Sequence, residues 1–132
     1  MMTAKRKEFF KGLFSFVLII FSILFYFQAE VLYASESDNS EFITKVSKAY
    51  TKKFCNSIGF GLSKESAMNF SIKENNQAFK KRKEMKSINK DLLSEKIAIS
   101  VIEKCGYPIN LSGEEGIQEF KSYYLAKDKE YS

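Results

Sequence analysis

The chain of 132 residues contains no histidine and no tryptophan, one proline (Pro108) and two cysteines, Cys55 and Cys105. Without histidine, no Ser-His or Cys-His pair can activate a nucleophile, and the commonest transition-metal ligand is missing. The cysteines lie far apart, with no Cys-x-x-Cys spacing, which argues against a redox pair or a thiolate metal site. Gly59-Phe60-Gly61 is too short for a phosphate-cradling loop and falls between predicted helices instead of after a strand. Ser87-Ile88-Asn89-Lys90 has Ser-x-x-Lys spacing but none of the companion motifs that give it meaning. The acidic pairs Glu36-Asp38 and Glu114-Glu115 are explained by solvation and helix capping, and no loop has a calcium-binding spacing. The expectation is a non-enzymatic protein with no catalytic residue, no metal and no cofactor.

What is present begins with an address. Lys5-Arg6-Lys7 precedes an apolar run from Leu13 to Phe27, followed by Val31-Leu32-Tyr33-Ala34. A cationic head, a greasy middle and a small residue before a polar stretch make an export signal. The run counts 15 residues, about 23 Å of helix against a hydrocarbon core of roughly 30 Å. Lengthening it means burying Lys11 on one side or passing Gln28 and Glu30 on the other. Residues 1–34 therefore read as a signal cut after Ala34, and the chain as exported, to the periplasm or a thylakoid lumen. Leu32, large for its place two residues before the cut, keeps open an uncleaved anchor in which Lys11 snorkels. No twin arginine occurs, and no cysteine follows the run to carry a lipid.

Beyond Ala34 lie 98 residues with 17 basic and 14 acidic side chains, enough for one domain and too weakly basic for nucleic-acid binding. We divide them into a polar linker (35–40), a helical domain (41–126) and a charged tail (127–132). In an oxidising compartment two cysteines make one bridge. Closing so long a loop contributes about 4 kcal/mol by the chain-entropy argument.

The pattern is helical throughout. Phe42, Val46, Tyr50 and Phe54 recur every four residues between Glu41 and Ile58, an amphipathic helix. Gly59 and Gly61 stop it, and Ser63 is placed to cap a second helix carrying Ala67, Met68, Phe70, Ile72 and Phe79, weakened at Asn75-Asn76. A third helix starts at Asn89 or Asp91 and stops at Cys105-Gly106-Tyr107-Pro108. Its apolar circumference makes it the expected centre of the domain. Ser112-Gly113-Glu114-Glu115 fits a capping box for a fourth helix through Ile117, Phe120 and Tyr124, fading into the tail. The predicted fold is all-α, a compact bundle of about four short helices. Up-and-down topology runs the first and third helices parallel, bringing Cys55 and Cys105 to the same end.

Lys80-Lys81-Arg82-Lys83, followed by Lys86, is the one conspicuous charge run. It reads as a solvated connector or as a contact for acidic lipid headgroups or an acidic partner surface. Phe60, Tyr107, Tyr123 and Tyr124 fall at turns or beside the last helix, where they would cover the ends of a small core or anchor a partner. Asn69-Phe70-Ser71 and Asn110-Leu111-Ser112 match the glycosylation sequon, relevant only on a eukaryotic secretory route.

The blocks Phe54-Cys55-Asn56, Gly59-Phe60-Gly61-Leu62-Ser63, Glu65-Ser66-Ala67 and Cys105-Gly106-Tyr107-Pro108 resemble small proteins of cyanobacteria and plastids associated with the thylakoid lumen, across about residues 41–125. That resemblance implies a luminal, photosynthesis-related accessory or assembly role and brings no active-site residues. The functional expectation is an exported helical accessory protein docking onto a larger membrane assembly. The alternative is an exported binder of a small apolar ligand, its cavity lined by residues such as Met68, Phe70 and Phe79.

Overall fold

The computed structural model describes the backbone of residues 2–132 and the side chains of residues 7–25 and 39–132. Four α-helices follow one another: α1 Met2–Gly59, α2 Lys64–Phe79, α3 Lys90–Cys105 and α4 Gly113–Tyr131, with a 3-10 helix at Lys83–Lys86 ahead of α3. The described residues include no strand. The chain divides into two units, Met1–Asp38 and Asn39–Ser132.

In the first unit the stretch Lys7–Phe25 is a 19-residue helix long and apolar enough to cross a membrane by length and composition, about 28 Å at 1.5 Å per residue. It exceeds the 15-residue run because Phe9 and Phe10 add an apolar turn beyond Lys11. Its large apolar side chains are exposed, from 49% at Ile20 to 74% at Phe25. The cleavage site at Leu32–Ala34 and the linker residues 35–38 lie outside the described side chains.

In the second unit the period-four residues Phe42, Val46, Tyr50 and Phe54 are all buried, with Ile43 beside them. Their helix ends at Gly59, and the turn passes through Gly61 at φ +91°, a left-handed conformation that suits a residue without Cβ. Ser63 caps α2, its Oγ accepting from the Ser66 amide at 3.2 Å. Asn89, not Asp91, caps α3, its Oδ1 accepting from the Leu92 amide at 3.0 Å. Asn75 does not break α2. It is buried, and its Nδ2 donates to the Val46 carbonyl at 3.3 Å, so a tertiary bond offsets its low helix propensity.

Cross-helix contacts fix the directions. Phe42 meets Phe79 at 5.8 Å between centroids, and Val46 meets Asn75, so residues 39–59 and α2 are antiparallel. Tyr50 packs edge-on to Tyr124 at 5.2 Å, and Phe54 to Phe120 at 5.1 Å, so α4 is antiparallel to the same segment. Lys96 Nζ donates to Thr44 Oγ1 at 3.0 Å, and Cys55 bonds Cys105 with Cα atoms 5.7 Å apart. That pair of contacts runs α3 parallel to residues 39–59. The result is the expected up-down-up-down bundle with its disulfide at one end.

Three expectations need correction. The centre is the segment 39–59, which touches α2, α3 and α4, whereas Leu92 on α3 is 40% exposed and Ile99 half-buried. The capping box is not formed: Ser112 occupies the N-cap but its side chain makes no cap hydrogen bond, and Gly113 at φ +63° turns the chain into α4 instead. Helix α3 ends at Cys105 with Gly106 as its C-cap, as expected, and Gly106 is right-handed (φ −65°). Glycine is required there by close approach, since a Cβ would lie 2.5 Å from both the Ile102 and Leu111 carbonyl oxygens. Finally, residues 127–131 are not a tail but the last turns of α4, and Asp128 is buried.

Candidate docking surfaces at the two ends of the bundle

The disulfide end displays exposed apolar side chains. Phe60 follows the last residue of α1 and is 86% exposed; Tyr107 follows Gly106, two residues after Cys105, and is 97% exposed. Leu62, in the same turn as Phe60, is 40% exposed. The backbone on both sides is firmly held. The Phe60 amide donates to the Asn56 carbonyl at 2.9 Å, Leu111 N–H donates to the Gly106 carbonyl at 3.0 Å, and the Cys55–Cys105 bond joins the two helices just below. Large apolar rings displayed on fixed backbone, with no packing partner in their own domain, have the character of interface anchors.

The other two aromatic candidates behave differently. Tyr124 is a core residue, 3% exposed, held edge-on against Tyr50, and it takes no part in any outer surface. Its place one turn after the buried Phe120 on an amphipathic helix is the signal that favoured the core. Tyr123 is half-buried beside the core, with the Lys64 ammonium 5.5 Å from its ring centroid. Burial pushes the Tyr50 and Tyr124 phenols well above their ordinary range, with the neighbouring Asp128 charge adding to it. Tyr50 Oη and Asp128 Oδ1 have no hydrogen-bond partner among the described atoms. The sequence gives no sign of these unpartnered buried atoms, because Asp128 is buried only when the last turns of α4 are folded.

The opposite end is basic. Lys80, Lys81, Arg82, Lys83 and Lys86 are all exposed in the connector between α2 and α3. Arg82 bonds Glu84 at 2.8 Å, which holds the Glu84 carboxyl below its usual range, and its guanidinium stands 5.5 Å from the Phe42 ring centroid. These contacts place the connector beside the first residues of the second unit. The four lysines make no ion pair among the described residues.

Lys90, the lysine of the Ser-x-x-Lys spacing, is engaged with Asp128 at 2.6 Å. Among the described residues no group of three or more Asp, Glu or Cys is placed to hold a metal ion. Of the three residues suggested to line an apolar cavity, Met68 is fully buried, Phe70 is 47% exposed, and Phe79 packs edge-on to Phe42. Of the sequon residues, Asn69 lies within α2, while Asn110 sits in the exposed turn after α3 at φ +57°.

No family model, curated protein or solved structure matches this chain.

Proposed function

We propose that the chain is an exported, membrane-tethered accessory protein whose helical domain docks onto a larger assembly through the aromatic end of the bundle. The observation that carries this reading is the exposure of Phe60 and Tyr107 on backbone pinned by the Cys55–Cys105 bond. A single exposed ring is ordinary on a protein surface; two on rigid turns at one end, with Leu62 beside them, make a small preorganised apolar patch. The tether is the Lys7–Phe25 helix, whose 19 residues approach the thickness of a bilayer once Lys7 and Lys11 snorkel. Leu32, large for its place two residues before the cut after Ala34, supports its retention. A disulfide supports an oxidising compartment, and the thylakoid lumen is the compartment that the resemblance of the Gly59–Ser63 and Cys105–Pro108 blocks favours. The role is one of binding, not catalysis: the chain has no histidine, and its most suggestive lysine is bound to a carboxylate.

The test is purification of the full chain from its own membranes in mild detergent at low salt. The expected result is a complex larger than the monomer, lost in Phe60→Ser and Tyr107→Ser chains that fold normally by circular dichroism. Recovery of free monomer alone, or a complex indifferent to both substitutions, would overturn the reading. The intact mass of the purified chain reports whether residues 1–34 are retained.

A further inference from the structure

The basic connector is tied to the same end of the bundle at which the chain arrives from the apolar helix. Phe42, three residues into the second unit, takes the Phe79 ring on one side and the Arg82 guanidinium at 5.5 Å. Lys80, Lys81, Lys83 and Lys86 are exposed around it. Among the acidic groups near this end, Glu84 pairs with Arg82, Asp91 and Glu95 with Lys121, Asp128 with Lys90 and Glu130 with Lys127, which leaves Glu41 and Glu74 as the carboxylates without an ion pair among the described residues. Four exposed lysines against those two carboxylates leave the connector end with an excess of positive charge. Between Phe27, where the apolar run of the sequence ends, and Asn39, the first residue of the second unit, lie residues 28–38. Eleven residues reach at most about 40 Å even fully extended, so a tethered domain stays close to its own bilayer.

We propose that Lys80, Lys81, Lys83 and Lys86 form a contact for the anionic headgroups of the membrane in which the chain is anchored. This inference rests on the tethered reading above. The occupant is lipid and not a soluble acidic partner, because the tether holds the lysines at high effective concentration against one particular surface. Charges that bind a mobile partner weakly bind a permanently adjacent anionic surface well. The contact would turn the connector end toward the bilayer and leave Phe60 and Tyr107, at the other end of the domain, directed away from it and accessible to a partner.

The full chain is reconstituted in nanodiscs of phosphatidylcholine alone and of phosphatidylcholine with phosphatidylglycerol. Acetylation rates of individual lysines are read by mass spectrometry. In the anionic discs at low salt, Lys80, Lys81, Lys83 and Lys86 should label about five-fold more slowly than in neutral discs, recovering in high salt as screening shortens the reach of the charge. Lys104, near the disulfide end, should label equally in both. A chain with all four lysines changed to Gln should lose any lipid dependence of labelling at Lys90. Equal rates in the two lipids, or slowing in neutral discs as well, would defeat the lipid contact. Failure of the chain to enter nanodiscs would defeat the tether itself, a separate outcome. Slowing produced by an added acidic polypeptide and not by phosphatidylglycerol would assign the patch to a protein partner and overturn the proposal.

Discussion

Lys90, in the first turn of α3, places its ammonium 2.6 Å from Oδ2 of Asp128, in the last turns of α4. The carboxylate is 6% exposed and the lysine 42% exposed, so the pair sits at the edge of the core, with the aspartate on its inner side. It also shows why the charged C-terminal segment belongs to the domain: a helix that faded before residue 127 would leave Lys90 without its partner and the Tyr50–Tyr124 contact open to water. Removing the lysine leaves a buried carboxylate with neither oxygen bonded. Lys90→Met should destabilise the fold by about 1–3 kcal/mol, and truncation after Ala126 by at least as much. Lys129→Met, an exposed change in the same turn, should fall within about 0.5 kcal/mol of the parent. Urea unfolding measures all three.

The disulfide closes a separation of 50 residues and constrains the unfolded chain by about 4 kcal/mol. That is comparable with the whole stability of a domain this size. Reduction, or Cys55→Ser with Cys105→Ser, should lower the melting temperature by about 15 °C or more. The double substitution isolates the cross-link from reactive thiols, and calorimetry with and without reductant gives the comparison.

Much of this fold was legible in the sequence for a definite reason. Spacing of four along Phe42, Val46, Tyr50 and Phe54 is a local property, and so are the caps at Ser63 and Asn89; each works within one or two helical turns. Apart from the capping box at Ser112, which the left-handed Gly113 replaces, the failures were non-local. Asn75 looked like a weakness in α2 because its partner, the Val46 carbonyl, is on another helix. The stop at Gly106 was legible, but the reason glycine is needed there, the Leu111 carbonyl folding back against it, is not written in the local sequence. Tyr124 is buried edge-on against Tyr50 of another helix, a contact that depends on topology. Of the candidate surfaces, Phe60, Tyr107 and the lysine run were found because each sits in a break between helices. Which end of the bundle each occupies depended on topology.

Gly106 offers a sharp test of close packing against backbone freedom. Its conformation is one that alanine adopts without strain, yet the added methyl would meet two backbone oxygens that belong to the ends of α3 and the following turn. Gly106→Ala should cost about 2–4 kcal/mol through forced displacement of that turn. Gly61→Ala has open space but a left-handed φ of +91°, so its cost of about 1 kcal/mol is purely conformational. A larger penalty at Gly61 than at Gly106 in chemical denaturation would contradict the packing described here.

Alkaline pH should unfold the domain through the buried tyrosines. Tyr50 and Tyr124 both hold their protons above the ordinary value of 10.0, chiefly because burial disfavours the phenolate. Below that pH both phenols are protonated in folded and unfolded chains alike, so neither makes stability depend on pH. Above it the unfolded chain releases protons that the folded chain retains. Stability then falls by about 1.4 kcal/mol per pH unit for each tyrosine. The full benefit is therefore present below pH 10 and is lost as pH rises beyond it. Tyr124→Phe keeps the ring contact with Tyr50 and removes one of the two deeply buried phenols, so its urea midpoint should decline less steeply over the same alkaline range, the raised Tyr123, Lys121 and Lys127 still contributing. An unchanged slope in Tyr124→Phe, or a decline beginning well below pH 10, would show that some other group controls alkaline unfolding.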